Sequence, residues 1–221
     1  MSWIHDVSYV SDVPGKNDSK GLVGGGISTD SLIDLVSNAQ HFILIQTPYL
    51  VTTALSQDLF RRAIDRGVSI KILTNSLLST DNLEAFSGYK REREVLLDMG
   101  VEIYELKPDA LIRLKVMTGA LQRELHHTPK FGLHAKSMVI DAATSVVGTF
   151  NLDPRSANLN TECVTIIRNE TISTQLQQTM LVELAEENAW KVSKDFNPDH
   201  LASFGKRFQL MLRRIVPQSI L

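Results

Sequence analysis

Residues 133–162 read LHAKSMVIDAATSVVGTFNLDPRSANLNTE, and the chemistry of the chain gathers here. His134 and Lys136 stand two apart at the head of an apolar run with strand character. Side chains alternate faces along a strand, so an imidazole and an ammonium point the same way. Such a pair suits attack on phosphorus, where the cation holds an oxyanion and the imidazole does covalent or proton chemistry. Asp141 sits at an odd offset from His134, which places it on the opposite face and favours a turn-anchoring role.

More polar groups follow within a short distance. Gly148-Thr149-Phe150-Asn151 comes after a hairpin-like gap, then Asp153-Pro154-Arg155-Ser156, then Asn160-Thr161-Glu162. Asn151 is a candidate phosphate donor, and Glu162 a carboxylate able to orient an imidazole. Strands are expected near 134–141, 144–148 and 161–168. The first two have no helix between them, so they are read as antiparallel additions to a mixed sheet.

Upstream, apolar strands at 41–47, 68–73 and 101–106 alternate with helices at 53–66 and from Asp81 to Gly100. This β-α-β-α-β order implies parallel pairing with helices packed on the sheet. Ser28, Thr29 and Asp30 offer caps for a preceding helix. Residues 1–28, polar and Gly-rich, read as a lead-in or inter-repeat segment, and 29–186 as the main domain. Ile172, Leu176, Met180 and Leu184 recur at helical steps as a buried stripe. Residues 187–221 read as a C-terminal extension packed on the domain. Residues 107–132 show no clean period and are basic, with Arg113, Lys115, Arg123 and Lys130.

At 221 residues the chain can bury one full core. The formal net charge of −2 argues against a nucleic-acid partner, which calls for a strong basic bias. Cys163 is the only cysteine, so no internal disulfide forms. No apolar stretch approaches a membrane span, and the first residues lack the basic and apolar regions of a signal peptide. The expected location is cytoplasmic or peripheral at a membrane. Gly24-Gly25-Gly26 lacks a following G-K-[ST], His126-His127 has no ligand partners at metal spacing, and Gly15-Lys16-Asn17 fails as a phosphate loop.

The 133–162 run resembles the phospholipase D superfamily, whose signature is HxKx4D followed by G-S-x-N, with Thr149 here in place of the usual Ser. NLDPRS and NTE are most similar to the cardiolipin synthase and phosphatidyltransferase branch. IQTPYLV, the 67–108 segment and the early DVPGKN resemble the same branch, in the second half of its two-repeat enzymes. The resemblance implies a phospholipase D-like α/β fold, a mixed sheet flanked by helices. It implies phosphatidyl transfer through a phosphohistidine intermediate, with no cofactor and no metal, on a phospholipid such as phosphatidylglycerol. His134, Lys136, Asp141 and Glu162 would form the catalytic group. Lys136, Asn151 and Thr149 would hold phosphate, and Arg155 would contact the headgroup or pair with a carboxylate. In two-repeat relatives the first-half histidine is usually the nucleophile, so His134 is expected as general acid/base, or as both in a symmetric pair.

No second HxKx4D occurs, so the chain carries half a site. It needs a second copy or a separate first-half partner. The runner-up is a homodimeric phosphodiesterase or nuclease of the superfamily. The third reading is a non-catalytic half of a split enzyme, which the start at Met1-Ser2-Trp3, straight into mid-protein-like sequence, favours. Arg61, Arg62, Arg91, Arg93 and the tail arginines are candidate contacts for anionic lipid.

Overall fold

The computed structural model describes residues 3–16, 25–113 and 132–213. Among the described residues eight strands form one mixed sheet: β1 (Val7–Ser11), β2 (Phe42–Gln46), β3 (Ser69–Asn75), β4 (Glu102–Leu106), β5 (Ser137–Ile140), β6 (Thr144–Gly148), β7 (Cys163–Arg168) and β8 (Ala189–Lys191). Their spatial order is β1-β7-β6-β5-β2-β3-β4-β8. β2-β3-β4 pair in parallel, as the strand-helix alternation predicts. β5, β6 and β7 add on antiparallel beside β2.

Helices α1 (Ile27–Asn38), α2 (Ala54–Asp65) and α3 (Leu83–Met99) cover one face of the sheet, joined by α6 (Phe204–Leu212). Ile43, Ile45, Ile70, Ile72, Met138 and Ile140 point into that core. The alternate residues Leu44 and Val139 point to the other face, against Met180 of α5 (Glu170–Glu183). Period-2 burial on both faces explains why these strands read as continuous apolar runs. A short helix, α4 (Pro154–Asn158), links β6 to β7.

Local signals set most boundaries. Thr53 caps α2 in a reciprocal box with Ser56, and Gly67 ends it at φ 89°. Asn82, one residue past the expected Asp81, caps α3 by accepting the Ala85 N–H. α1 departs further from expectation. It starts at Ile27 with no side-chain cap of its own, and the Asp12 carboxylate accepts the Ser28 N–H at 2.9 Å. A carboxylate supplied from elsewhere in the fold serves the helix end, so Ser28 and Thr29 turn inward. Their hydroxyls donate to the Glu162 and Ala157 carbonyls.

Both sheet edges come from segments that showed no strand pattern. β1, inside the lead-in segment, pairs with β7. β8, in the C-terminal extension, pairs with β4. The extension is further anchored by Asp199, which accepts from Arg93 and Lys90. Arg93 is therefore no surface lipid contact: it is 6% exposed and also donates to Glu105 at 2.9 Å. Lys115, Arg123, His126, His127, Lys130, Arg214 and Gly24 lie outside the described residues.

Candidate active site

The carboxyl ends of β2, β3 and β4 share one edge of the sheet with the start of β5, the end of β6 and the start of β7. In open α/β sheets this is the edge where ligands bind. His134 and Lys136 immediately precede β5, Thr149 and Asn151 follow β6, and Glu162 precedes β7. Gly148 makes the approach possible, because a Cβ there would collide with the Cys163 carbonyl and the Val164 Cα.

His134 is exposed at this edge. The residue before it is clamped on both sides: the Leu133 N–H donates to Asn75 Oδ1 at 2.7 Å, and Asn75 Nδ2 donates to the Leu133 carbonyl at 3.0 Å. Lys136 is half-buried, with its carbonyl accepting the Gly148 N–H. Its ammonium has one bond among the described residues, to the His134 carbonyl at 3.0 Å. Burial lowers the Lys136 pKa, against the opposing pull of Glu162, Asp153 and Asp81. No carboxylate forms an ion pair with Lys136 among the described residues.

Glu162 is 5% exposed and fully engaged. It accepts from Ser156 Oγ at 2.9 Å, from Asn160 Nδ2 at 3.2 Å, and from the Thr149 hydroxyl. The Thr149 oxygen in turn accepts the Cys163 N–H. Thr149 thus spends its one proton on Glu162 and has none for a phosphate in this arrangement. Asn151 is fixed by its N–H to Ser156 Oγ, yet its amide oxygen is buried with no partner. Buried polar atoms are rarely left so, and those that are call for an explanation. Asp153 caps α4 through the Ser156 N–H, and burial raises its pKa. Arg155 is exposed and forms no ion pair among the described residues, with Asp153 or otherwise.

Asp141 is not brought to this group. It lies at the far end of β5, about 16 Å of strand from Lys136. With φ at 52° it turns the β5–β6 hairpin. Its carboxylate accepts the N–H groups of Gln40, His41 and Phe42 at 2.8–2.9 Å. Those bonds outweigh burial, the first influence on it, and hold its pKa low. The length of β5, which begins after His134 and ends before Asp141, separates the two, so strand alternation does not apply to them.

Three supporting residues escaped the sequence reading. Asn75 holds the residue before His134. Asp12, buried, accepts the Glu162 N–H and the Lys16 ammonium, and Lys16 also donates to the Ser156 carbonyl at 2.7 Å. The one signal for Asp12 and Lys16 was the DVPGKN segment. Among the described residues, no cluster of three or more His, Cys, Asp or Glu could hold a metal ion.

Residues 32–182 match the family model for the cardiolipin synthase, phospholipase D-like domain. Cardiolipin synthase C of Escherichia coli K12 is 32% identical over 94% of this chain and 46% of that protein. The chain belongs to the phospholipase D superfamily, in its cardiolipin synthase branch. A cardiolipin synthase of Staphylococcus aureus is 28% identical over 82% of the chain and 33% of that protein. The chain thus spans half or less of these relatives. Among solved structures, the phosphatidylserine synthase of Haemophilus influenzae aligns with TM-score 0.64 at 13% identity, over 97% of this chain and 48% of that one. The phospholipase D family member Nuc of Salmonella typhimurium aligns with TM-score 0.58 at 13% identity, over 86% of this chain and 100% of that one. Both carry the mixed sheet flanked by helices found here. No helix among the described residues is long and apolar enough to cross a membrane.

Proposed function

We propose that this chain supplies one half-site for phosphatidyl transfer of the cardiolipin synthase type. The observation that carries the reading is unmet bonding at one edge. A half-buried ammonium with no ion pair lies beside an exposed imidazole. A phosphodiester fits this edge, because its oxygens accept from Lys136 and from the Asn151 amide. Thr149 and Glu162 belong to the support beneath rather than to the clamp.

One imidazole nitrogen attacks phosphorus, a P–N bond forms, and the P–O bond to the departing glycerol breaks. A second imidazole gives that alkoxide its proton, then takes one from the incoming alcohol as it displaces the first histidine. His134 is one of these two groups. The other comes from a second copy of the chain or from a separate first half. Charge fits this need: Asp81, Asp153 and Glu162 all act on Lys136, so further cations from a partner would favour an anionic substrate. α6 turns Phe204, Phe208, Met211 and Leu212 to solvent, a face suited to resting in a lipid interface.

The test couples solution mass to transferase assay on the same fractions, using phosphatidylglycerol vesicles. Activity is expected only in an assembly of two half-sites, and a fully active monomer sinks the proposal. If the fractions instead cleave DNA, with binding that weakens steeply as salt rises, the nuclease reading replaces it.

A further inference from the structure

A groove of about 780 Å³ opens between α1, α2 and the segment that carries α4. Leu32, Ile33, Leu59, Phe60, Phe150 and Leu152 give it an apolar floor. Thr52, Ser56 and Asn158 are among the polar residues of its lining. Its size falls in the range of about 300–1,000 Å³ typical of small-ligand sites.

Its place in the fold gives it meaning. The Val51–Gln57 stretch leaves the sheet after β2, and the Phe150–Asn158 stretch leaves it after β6. Both ends lie at the edge that holds His134 and Lys136. A second cavity of only about 20 Å³ is lined by Lys136 together with Leu32, Met138, Phe150 and Leu152. Those last four residues also line the groove, so a single layer of apolar side chains separates Lys136 from it. The two loops that frame the groove are stitched together, with the Val51 N–H donating to the Leu152 carbonyl at 2.7 Å and the Leu152 N–H to Thr47 Oγ1 at 3.1 Å.

An anion site beside an apolar trough matches an amphiphile. We infer that the α1–α2 groove holds an acyl chain of the phospholipid whose phosphate is bound at Lys136. The inference rests on the phosphate reading above and adds a substrate feature: a requirement for hydrocarbon length. α1 and α2 have 12 residues each, so the trough runs for up to about 18 Å. One leaflet of a bilayer core is about 15 Å thick, so the trough accommodates one chain.

The test measures calorimetric binding of hexyl phosphate, dodecyl phosphate and inorganic phosphate to the full chain, below the micelle threshold. Each buried methylene is worth about fourfold in affinity. Dodecyl phosphate is expected to bind at least about a hundredfold tighter than hexyl phosphate. Ile33→Glu, at a half-buried lining position, should cost dodecyl phosphate about tenfold or more and leave inorganic phosphate unchanged. Ala157→Phe, which fills the trough instead of charging it, should do the same and guards against a folding defect in the first variant.

Equal affinity for the two alkyl phosphates overturns the inference. So does a chain-length preference that ignores both variants, or a change of solution mass in Ile33→Glu, which would make the groove an interface. Lys136→Ala separates the two proposals: loss of inorganic phosphate binding with no chain-length effect keeps the phosphate reading and removes the groove. A chain-length effect that Ile33→Glu abolishes but Lys136→Ala leaves intact keeps the groove's chain and removes its phosphate.

Discussion

Two groups of charged residues, one around Arg93 and one around Lys136, differ in one respect. Around Arg93 the ion pairing closes on itself, although one Glu105 oxygen has no partner. Its guanidinium donates to Glu105 and twice to Asp199, Tyr89 donates to Glu105, and Lys90 donates to Asp199. Around Lys136 it does not close, since three carboxylates act on the ammonium through space and none pairs with it. The first cluster joins α3, β4 and the C-terminal turn. The second faces solvent beside His134. Burial of charge alone therefore does not single out a candidate site; an unpaired charge at an open edge does.

The sharpest separation comes from His134→Asn. It removes a covalent or proton-transfer role that water replaces poorly, so turnover should fall by at least about a thousandfold. The residue is exposed, so the melting temperature should stay nearly constant. Near-normal turnover in the active assembly would end the reading of this edge as a reaction site.

Exchanging the two cations crosses the comparison. Arg93→Met strands two buried carboxylates and should cost about 3–5 kcal/mol in urea unfolding. Lys136→Met removes a half-buried cation without an ion pair. Stability should hold or rise, while turnover drops by about a hundredfold or more. If Lys136→Met destabilised as much as Arg93→Met, the two clusters would be the same kind of thing.

Glu162→Gln is the intermediate case. Ser156, Asn160 and Thr149 donate to this carboxylate, so the amide keeps its shape but loses one acceptor and the charge beside Lys136. Turnover should fall by roughly ten- to a hundredfold, with substrate affinity changed less. A variant that loses only affinity would show Glu162 acting on binding and not on the reaction step.

The same comparison shows what the sequence could carry. The parallel β2–β4 unit was legible because its strands and helices alternate with clear periods and caps. His134, Lys136, Asn151 and Glu162 were legible because one short run holds them all, and the fold brings them to one edge. Arg93 was not legible: in a helix rich in charge, nothing local separates an arginine that meets Glu105 and Asp199 from one in water. β1 has no buried residue to give an apolar run, β8 is three residues long, and their pairing partners are distant in sequence. Asp12 was hidden for the same reason, since its acceptor role depends on Ser28 and Glu162 arriving from elsewhere.

The smallest expected effect concerns proton linkage in the closed cluster. Burial pushes the Glu105 carboxyl up to about 7, with Arg93 and Tyr89 only partly opposing, and one of its oxygens has no partner. A carboxyl with a raised folded-state pKa favours the folded state while protonated. Its contribution is complete below the unfolded value of 4.5 and is lost as pH rises through about 7. Asp199 runs the other way: its bonds to Arg93 and Lys90 outweigh burial and hold its pKa low, so its contribution is lost only as pH falls into acid. Between pH about 5 and 7, Glu105 therefore tilts stability downward with rising pH, by at most about 1.4 kcal/mol per unit. Glu105→Gln cannot titrate, so its urea midpoint should gain on the parent across that window and stay level with it below. Parallel pH profiles for the two proteins would mean that Arg93 keeps Glu105 ionised, and that the closed cluster is a plain ion pair with no proton of its own to lose.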